Sequence, residues 1–333
     1  MSVDRMSAPT LEQVPLRVRE ERPVRVGLLA VTGEALHHHR RLLALLGLGL
    51  LVLAGPVLTT ADSVASAHSA WSAANCGGAR LADVCQALNL DLTGAVLSAE
   101  DVQLALLAVP LLVGALLGAP LLAREYEQGT YRLAWTQAVP RGRWLTGRLL
   151  VLGGASVLTG AVAALLGTRL YLAASPAVLR ESSGYAPLPF NSFGPVLAAG
   201  TVLAFALGVL CGALWRRTLP AIAASVAGFG GVALLLTALR GDLQPARTIF
   251  PPHGYDLRPD DWLMADGVVT TDGHRLSYAQ CEPGGCPAGS RTFEIYHDAG
   301  QLWATQWTAA AIMLALAATA LLLSYRTVGR NRL

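Results

Sequence analysis

The sequence predicts an all-α integral membrane protein with six transmembrane helices, and three observations lead to this fold class. Of the 333 residues, 53% are hydrophobic and only 14% are charged, whereas soluble domains carry about 25% charged residues. Six segments are apolar over the roughly 20 residues that a ~30 Å hydrocarbon core requires. None of the six contains Asp, Glu, Arg or His. This composition excludes a purely soluble enzyme and a nucleic-acid-binding domain, and it makes the lipid bilayer a partner of the chain.

The six predicted spans lie within residues 42–325, which form the predicted transmembrane domain. Span three has 20 residues between Arg148 and Arg169, so these side chains are expected about 30 Å apart, at opposite membrane surfaces. Span one follows a charged segment of 41 residues, which is too long for the start of a signal peptide and favours an uncleaved helix. The predicted spans are 42–60, 102–123, 149–168, 193–214, 221–239 and 307–323.

The distribution of arginine predicts the orientation of the chain. If both termini are cytoplasmic, the inner segments hold 17 Arg and the outer segments hold 8. Because arginine near membrane ends favours the cytoplasmic side, we expect a cell-membrane protein with both termini in the cytoplasm. Residues 1–23 are polar and are predicted to form a disordered tail, and residues 326–333 form a second cytoplasmic tail.

All 25 basic residues are arginine, and this restricts the chemistry open to the chain. Without lysine there is no phosphate-binding-loop lysine, Schiff-base lysine or lysine general base. We predict no catalytic residue, no metal site and no bound cofactor. Any ATP chemistry must come from a partner protein.

The cysteines agree with an oxidising outer side. Cys76 and Cys85 lie in the first predicted outer loop, and Cys281 and Cys286 lie in the last. We predict two short-range disulfides from these pairs, with free thiols and a metal site as alternatives. Cys211 lies inside span four and is predicted to be a small packing residue.

The outer loop 240–306 is the one sizeable soluble piece of the predicted fold. Residues 268–276 have strand-like runs on either side of an Asp-Gly turn, which indicates a hairpin. With the cysteine pair after it, the loop is predicted to form a small disulfide-stapled cap. A binding domain is the alternative, although the loop is too small to bury a core of its own.

The inner loop 124–148 between spans two and three is dense in charged and aromatic residues. Two carboxylates followed by Gly129 and Thr130 predict a helix end, a bend at the glycine and a second short amphipathic helix. Such a helix could dock onto a cytoplasmic protein. The alternative is an interfacial loop whose arginines only anchor the topology.

This loop resembles the inner loop of permease subunits of ATP-binding-cassette transporters, in the type-2 exporter class and in actinobacterial members of it. The family pattern Ala-Arg-Glu-x-Glu-x-Gly-Thr falls on 123–130, Arg-Leu-Ala-Trp-Thr-Gln on 132–137 and Arg-x-Arg-Trp-Leu on 141–145. Residues 208–221 and 296–307 are similar to further parts of the family. The chain departs from the pattern at Arg148, where lysine is usual, and near Trp307, where an acidic residue is missing.

The resemblance implies half of a transmembrane pore. A second permease subunit, identical or homologous, would complete the pore, and two cytoplasmic ATPase subunits would hold ATP and Mg²⁺ beneath it. The loop would supply a coupling helix that contacts the ATPase, with Glu127 as a charge near its tip or, alternatively, as a cap of the following short helix. The expected coupling residues are Arg124, Glu125, Glu127, Gly129, Thr130, Arg132, Gln137 and Arg141.

The resemblance also implies that residues 24–41 form an interfacial elbow helix before span one. Small residues four apart in spans two and four favour close helix approach, either within one bundle or between subunits. These residues are Gly114, Gly118, Gly208 and Gly212.

Two other functions compete with the permease. An ion-coupled carrier usually places ionisable groups inside the membrane, and an intramembrane enzyme needs clustered catalytic groups there. The predicted spans have neither. Spans made of Leu, Ala, Val and Gly favour an apolar or amphipathic cargo, and the direction of transport follows from the resemblance alone.

Overall fold

The computed structural model describes residues 27–76, 83–129, 140–177, 184–251, 261–281 and 285–330. In this part of the chain, six helices are long and apolar enough to cross a membrane, which confirms the predicted number of spans. These candidate spans are Leu28–Ala73, Asp83–Glu127, Gly142–Ala174, Gly194–Trp215, Thr218–Ala238 and Ala299–Gly329.

Eight α-helices are described, and one π-helical turn, Gly114–Gly118, joins the second to the third. The short α5 lies before span four, and the other helices build the spans. The helices are α1 Leu28–Ala73, α2 Asp83–Val113, α3 Ala119–Glu127, α4 Arg141–Ala174, α5 Pro187–Ser192, α6 Gly194–Trp215, α7 Thr218–Ala238 and α8 Leu302–Arg330.

Helices α1 and α2 extend well beyond the predicted spans. Much of the segment predicted as the first outer loop is helical, so the two helices form a hairpin whose ends are joined by the Cys76–Cys85 disulfide. One face of each helix is buried with the periodicity of a coiled coil, at four- and three-residue steps in α1 and at seven-residue steps in α2. Those buried residues are Val57, Ala61 and Val64 in α1, and Cys85, Leu92, Ala99, Leu106 and Val113 in α2.

The predicted elbow segment is also continuous with span one. From Leu28 onward its residues belong to α1 and run without a break into the apolar stretch. No proline occurs between Leu28 and Pro56, so nothing in the sequence interrupts the hydrogen-bond ladder there. The described part of segment 24–41 is therefore not a separate helix.

Helix α6 lies at the centre of the bundle and packs against α2, α3, α4, α7 and α8. The glycines of α6 allow this close packing, because they have no Cβ atom. A Cβ atom on Gly208 would lie 2.5 Å from the carbonyl oxygen of Gly114 and 2.8 Å from the Cα atom of Gly118, and one on Gly212 would lie 2.6 Å from the carbonyl oxygen of Ala119. The four glycines noted in the sequence thus bring spans two and four together within one chain.

The π-helical turn of span two lies at this contact. Pro120 has no N–H group to donate to the carbonyl of Leu116, and its ring crowds that carbonyl in a regular α-helix. A wider turn over Gly114–Gly118 accommodates the proline and places small residues against α6.

A four-stranded antiparallel sheet covers one end of the bundle, in the order β1-β4-β2-β3. Val268 pairs with Leu276 across the β2–β3 turn, and Cys281 is bonded to Cys286, so the predicted hairpin and staple are both confirmed. The sheet rests on the bundle where Tyr185 stacks on Trp262 and donates its hydroxyl hydrogen bond to the Asp298 carbonyl. The strands are β1 Arg247–Ile249, β2 Trp262–Val269, β3 Arg275–Leu276 and β4 Arg291–His297.

Side-chain contacts define the two ends of the bundle. At the sheet end, Arg169 pairs with Asp62 at 2.9 Å. At the opposite end, Thr146 and Tyr325 share a 2.9 Å hydrogen bond between α4 and α8. We call this opposite end the basic face, because it carries Arg41, Arg124, Arg148, Arg217 and Arg326.

Candidate functional site

The candidate site is the part of the inner loop that joins span two to the basic face. Residues 130–139 lie outside the described residues, and with them the predicted coupling residues Thr130, Arg132 and Gln137. Arg141 is the first residue of α4. The described remainder is residues 124–129, which we call the loop stem.

The stem is the end of α3 and a glycine turn, as the sequence predicted. Helix α3 ends at Glu127, and the amide of Gln128 donates to the carbonyl of Arg124 at 3.0 Å. Gly129 has φ +70°, a left-handed conformation that glycine adopts without the cost of a Cβ clash. The chain therefore turns away from the α3 axis directly after Glu127.

Glu125 is held by the next span. Its carboxylate accepts a hydrogen bond from the Arg148 guanidinium at 2.6 Å, and both side chains are about four-fifths buried, with 19% and 18% exposed. Arg148 also lies over the Trp144 ring, with its guanidinium carbon 4.3 Å from the ring centroid. A partly buried, charge-assisted bond of this kind joins the stem to α4.

Glu127 is held by span five. One carboxylate oxygen accepts hydrogen bonds from the Thr218 hydroxyl at 2.6 Å and from the Thr218 amide at 3.1 Å. Thr218 begins α7, whose N-cap residue Arg217 makes no side-chain cap bond, so Glu127 caps this helix from a distant part of the chain. The Thr218 hydroxyl and amide hydrogen bonds lower the pKa of the Glu127 carboxyl below its usual range.

The contact with Thr218 adds to the predicted role of Glu127 as a charge near the loop tip, which stays a prediction. The alternative prediction, a cap of the following short helix, falls on residues outside the described ones. The helix that Glu127 caps among the described residues is α7. Sequence reasoning missed Thr218. The signal that could have found it is Arg217 immediately before α7, at a position where a residue with a capping side chain is usual.

The turn between spans four and five also contacts the stem. Arg216 has φ +54°, and its guanidinium carbon lies 5.4 Å from the Tyr126 ring centroid. Three successive stem residues thus contact three places in the bundle: Glu125 contacts α4, Tyr126 contacts the turn after α6, and Glu127 contacts α7. A displacement of the loop would be transmitted to spans three and five as well as to span two, because packed helices move as units.

The described residues contain no group of three or more His, Cys, Asp or Glu side chains placed to hold a metal ion. Arg124, the remaining predicted residue of the stem, is exposed and lines a cavity at the basic face. The stem presents charged side chains and connects the loop to several helices. Its described side chains do not form a nucleophile–base arrangement.

Comparison with known proteins gives one family. A family model described as ABC-2 membrane transporter related matches residues 47–240, more than half of the chain. The matched range begins within span one and includes spans two to five and the loop stem. No curated protein and no solved structure matches the sequence.

Proposed function

The chain belongs to the family described as ABC-2 membrane transporter related, and on this premise we propose that it is the permease subunit of an ATP-driven exporter. It is a multi-pass membrane protein with six apolar helices. The observation that carries the proposal is the loop stem. Three of its consecutive side chains contact three different parts of the bundle. A movement of the loop caused by a protein outside the membrane would therefore reach several spans at once.

The proposed arrangement places the basic face in the cytoplasm. Arginine is concentrated in the segments at this face, and the positive-inside rule assigns such segments to the cytoplasmic side. The two disulfides then lie at the opposite, oxidising side, where they are stable. Both termini are cytoplasmic in this orientation, and the membrane is the cell membrane.

The proposed partners are two ATPase subunits and a second permease, identical or homologous. The ATPase subunits bind ATP and Mg²⁺, and the energy of nucleotide binding and hydrolysis enters there. In this chain the loop receives the movement of the ATPase. Glu125 passes it to α4 through Arg148, and Glu127 passes it to α7 through Thr218.

This assignment gives the stem carboxylates a positioning role in coupling. A direct ATPase contact remains a prediction for the loop as a whole, including Thr130, Arg132 and Gln137. The absence of charged side chains within the predicted spans favours an apolar or amphipathic cargo, because a charge at bilayer depth costs about 2.5–3.5 kcal/mol. The alternative function is an ATPase-independent carrier.

Co-purification tests the proposal directly. The wild-type protein is solubilised from its native membranes in several mild detergents, and co-eluting proteins are identified by mass spectrometry. We expect an ATPase with a phosphate-binding loop. Glu127→Arg should reduce its recovery, because the variant removes the α7 cap and places a cation beside Arg216 and Arg217.

Asp91→Arg is the matched control, since it reverses one exposed acidic residue in the α2 extension that leads to the disulfide. It should leave ATPase recovery unchanged. Failure to recover any ATPase in every detergent would favour the carrier. Equal loss with both variants would mean that charge reversal disrupts the protein generally, and the stem would lose its assigned role.

A further inference from the structure

A cavity of about 720 Å³ opens at the basic face between the start of α1, the loop stem and the start of α4. Its lining includes Arg41 from α1, Arg124 from α3 and Arg148 from α4. In the sequence, each of the three directly adjoins the end of a predicted span. Three guanidinium groups from three helices therefore lie at the membrane depth where the phosphate groups of lipids meet a protein.

The deeper part of the same cavity is apolar. Leu116, Leu117 and Leu121 of span two and Leu152 of span three line it. Leu116 and Leu117 precede Arg124 by about two helical turns, which places them on the order of 10 Å further into the membrane. The cavity is cationic at the surface and hydrocarbon-like below, which matches an amphiphile with an anionic head.

Three arginines and two glutamates, Glu34 and Glu125, line the cavity, so its net positive charge favours an anion. Glu125 is already bonded to Arg148. Within the described ranges, neither Arg41 nor Arg124 is engaged in a hydrogen bond or an ion pair, and both are exposed. His39 has a buried Nε2 atom with no hydrogen-bond partner among the described residues. The titratable groups that line the cavity are Glu34, His38, His39, Arg41, Arg124, Glu125 and Arg148.

We propose that this cavity binds a phosphate anion, carried by the headgroup of a phospholipid whose acyl chain lies against the four leucines. Arg41 and Arg124 donate to the phosphate oxygens, since a planar guanidinium pairs well with a phosphate group. The lipid contacts both α1 and the loop stem and so stiffens the junction between them. Lipid binding is measured without an ATPase, so its outcome is independent of that of the proposed exporter function.

The test uses the purified full-length protein in mild detergent. Phosphatidylglycerol or phosphatidylcholine is added, retained lipid is counted by native mass spectrometry, and thermal unfolding is followed. The double variant Arg41→Gln, Arg124→Gln removes the two guanidinium groups that make no hydrogen bond or ion pair with the described residues. We expect its apparent affinity for phosphatidylglycerol to fall by tenfold or more, from the typical contribution of each arginine at an anionic surface.

The matched control is Arg40→Gln, Arg326→Gln, which removes the chain neighbour of Arg41 and one arginine of the basic face, neither of which lines the cavity. It should change the affinity less than twofold. The charge-preserving pair Arg41→Lys, Arg124→Lys should retain most of the lipid if it folds like the wild type, which separates charge loss from misfolding. Equal lipid loss in the Gln variant and the control, or loss in neither, would overturn the cavity as the site.

Inorganic phosphate distinguishes the two sources of the anion. If the ligand is a lipid, phosphatidylglycerol should raise the unfolding temperature of the wild-type protein, and inorganic phosphate at the same concentration should not. If inorganic phosphate alone gives the full increase and the lipid adds nothing, a soluble phosphate compound replaces the lipid as the ligand. Equal retention of phosphatidylcholine and phosphatidylglycerol would contradict recognition of an anionic lipid.

Discussion

Replacing Gly208 with alanine tests the packing that organises the bundle. The added Cβ would lie 2.5 Å from the Gly114 carbonyl oxygen, 2.7 Å from the Ala119 nitrogen and 2.8 Å from the Gly118 Cα atom. All three are backbone atoms, so no side chain can rotate away, and α6 or span two must shift. Overpacking of this kind costs roughly 1–3 kcal/mol, and alanine recovers at most about 1 kcal/mol of helix propensity.

We therefore expect Gly208→Ala to lower the free energy of unfolding by up to about 2 kcal/mol, measured by thermal unfolding of the detergent-solubilised protein. Gly154→Ala in α4 is the matched control, because a Cβ there meets no atom within 4 Å. The control should be neutral or slightly stabilising. If both variants unfold at the same temperature, the close backbone approach of spans two and four is wrong.

Three further predictions concern the stem and the hairpin. Glu125→Arg should destabilise the protein by about 1–3 kcal/mol, whereas adding Arg148→Glu should restore most of that loss; additive effects in this double-mutant cycle would refute the ion pair. Because folding lowers the pKa of Glu127, its stabilisation of α7 is present above the unfolded pKa and lost as pH falls through the folded pKa. Wild type should thus lose more thermal stability than Glu127→Gln on acidification below about pH 4.5, and parallel curves would contradict the cap. Cys76→Ser should cost about 2–3 kcal/mol by releasing the hairpin ends, with maleimide labelling of the freed thiol as the check, and unchanged stability would argue against the staple.

The six spans were predictable because insertion of an apolar helix depends on length and composition, and both are local properties of a sequence. The same holds for the glycine turn after Glu127 and the hairpin at Asp272-Gly273, since each follows from the conformations that a short peptide prefers. The two disulfides were predictable from short spacing and a shared side of the membrane. None of these predictions needed knowledge of which helices are neighbours.

The length of α1 and α2 was not predicted. Residues 61–73 and 83–101 are too polar for the membrane, so hydropathy separates them from the spans and classifies them as a loop. They remain helical because each helix buries one face against the other, a stabilisation that depends on both segments together. Hydropathy detects the solvent in which a helix lies, and it does not detect where a helix ends.

The sequence alone determined the membrane class, the number of spans, and the short-range turns and disulfides. Tertiary structure decided which helices the loop stem contacts. Glu125 and Arg148 are 23 residues apart, and Glu127 and Thr218 are 91 residues apart, so neither pairing follows from local periodicity. The same is true of Gly208 against span two, because a small residue permits close approach without specifying which helix approaches. Contacts between distant segments depend on how the whole bundle packs, and only the folded chain brings those groups together.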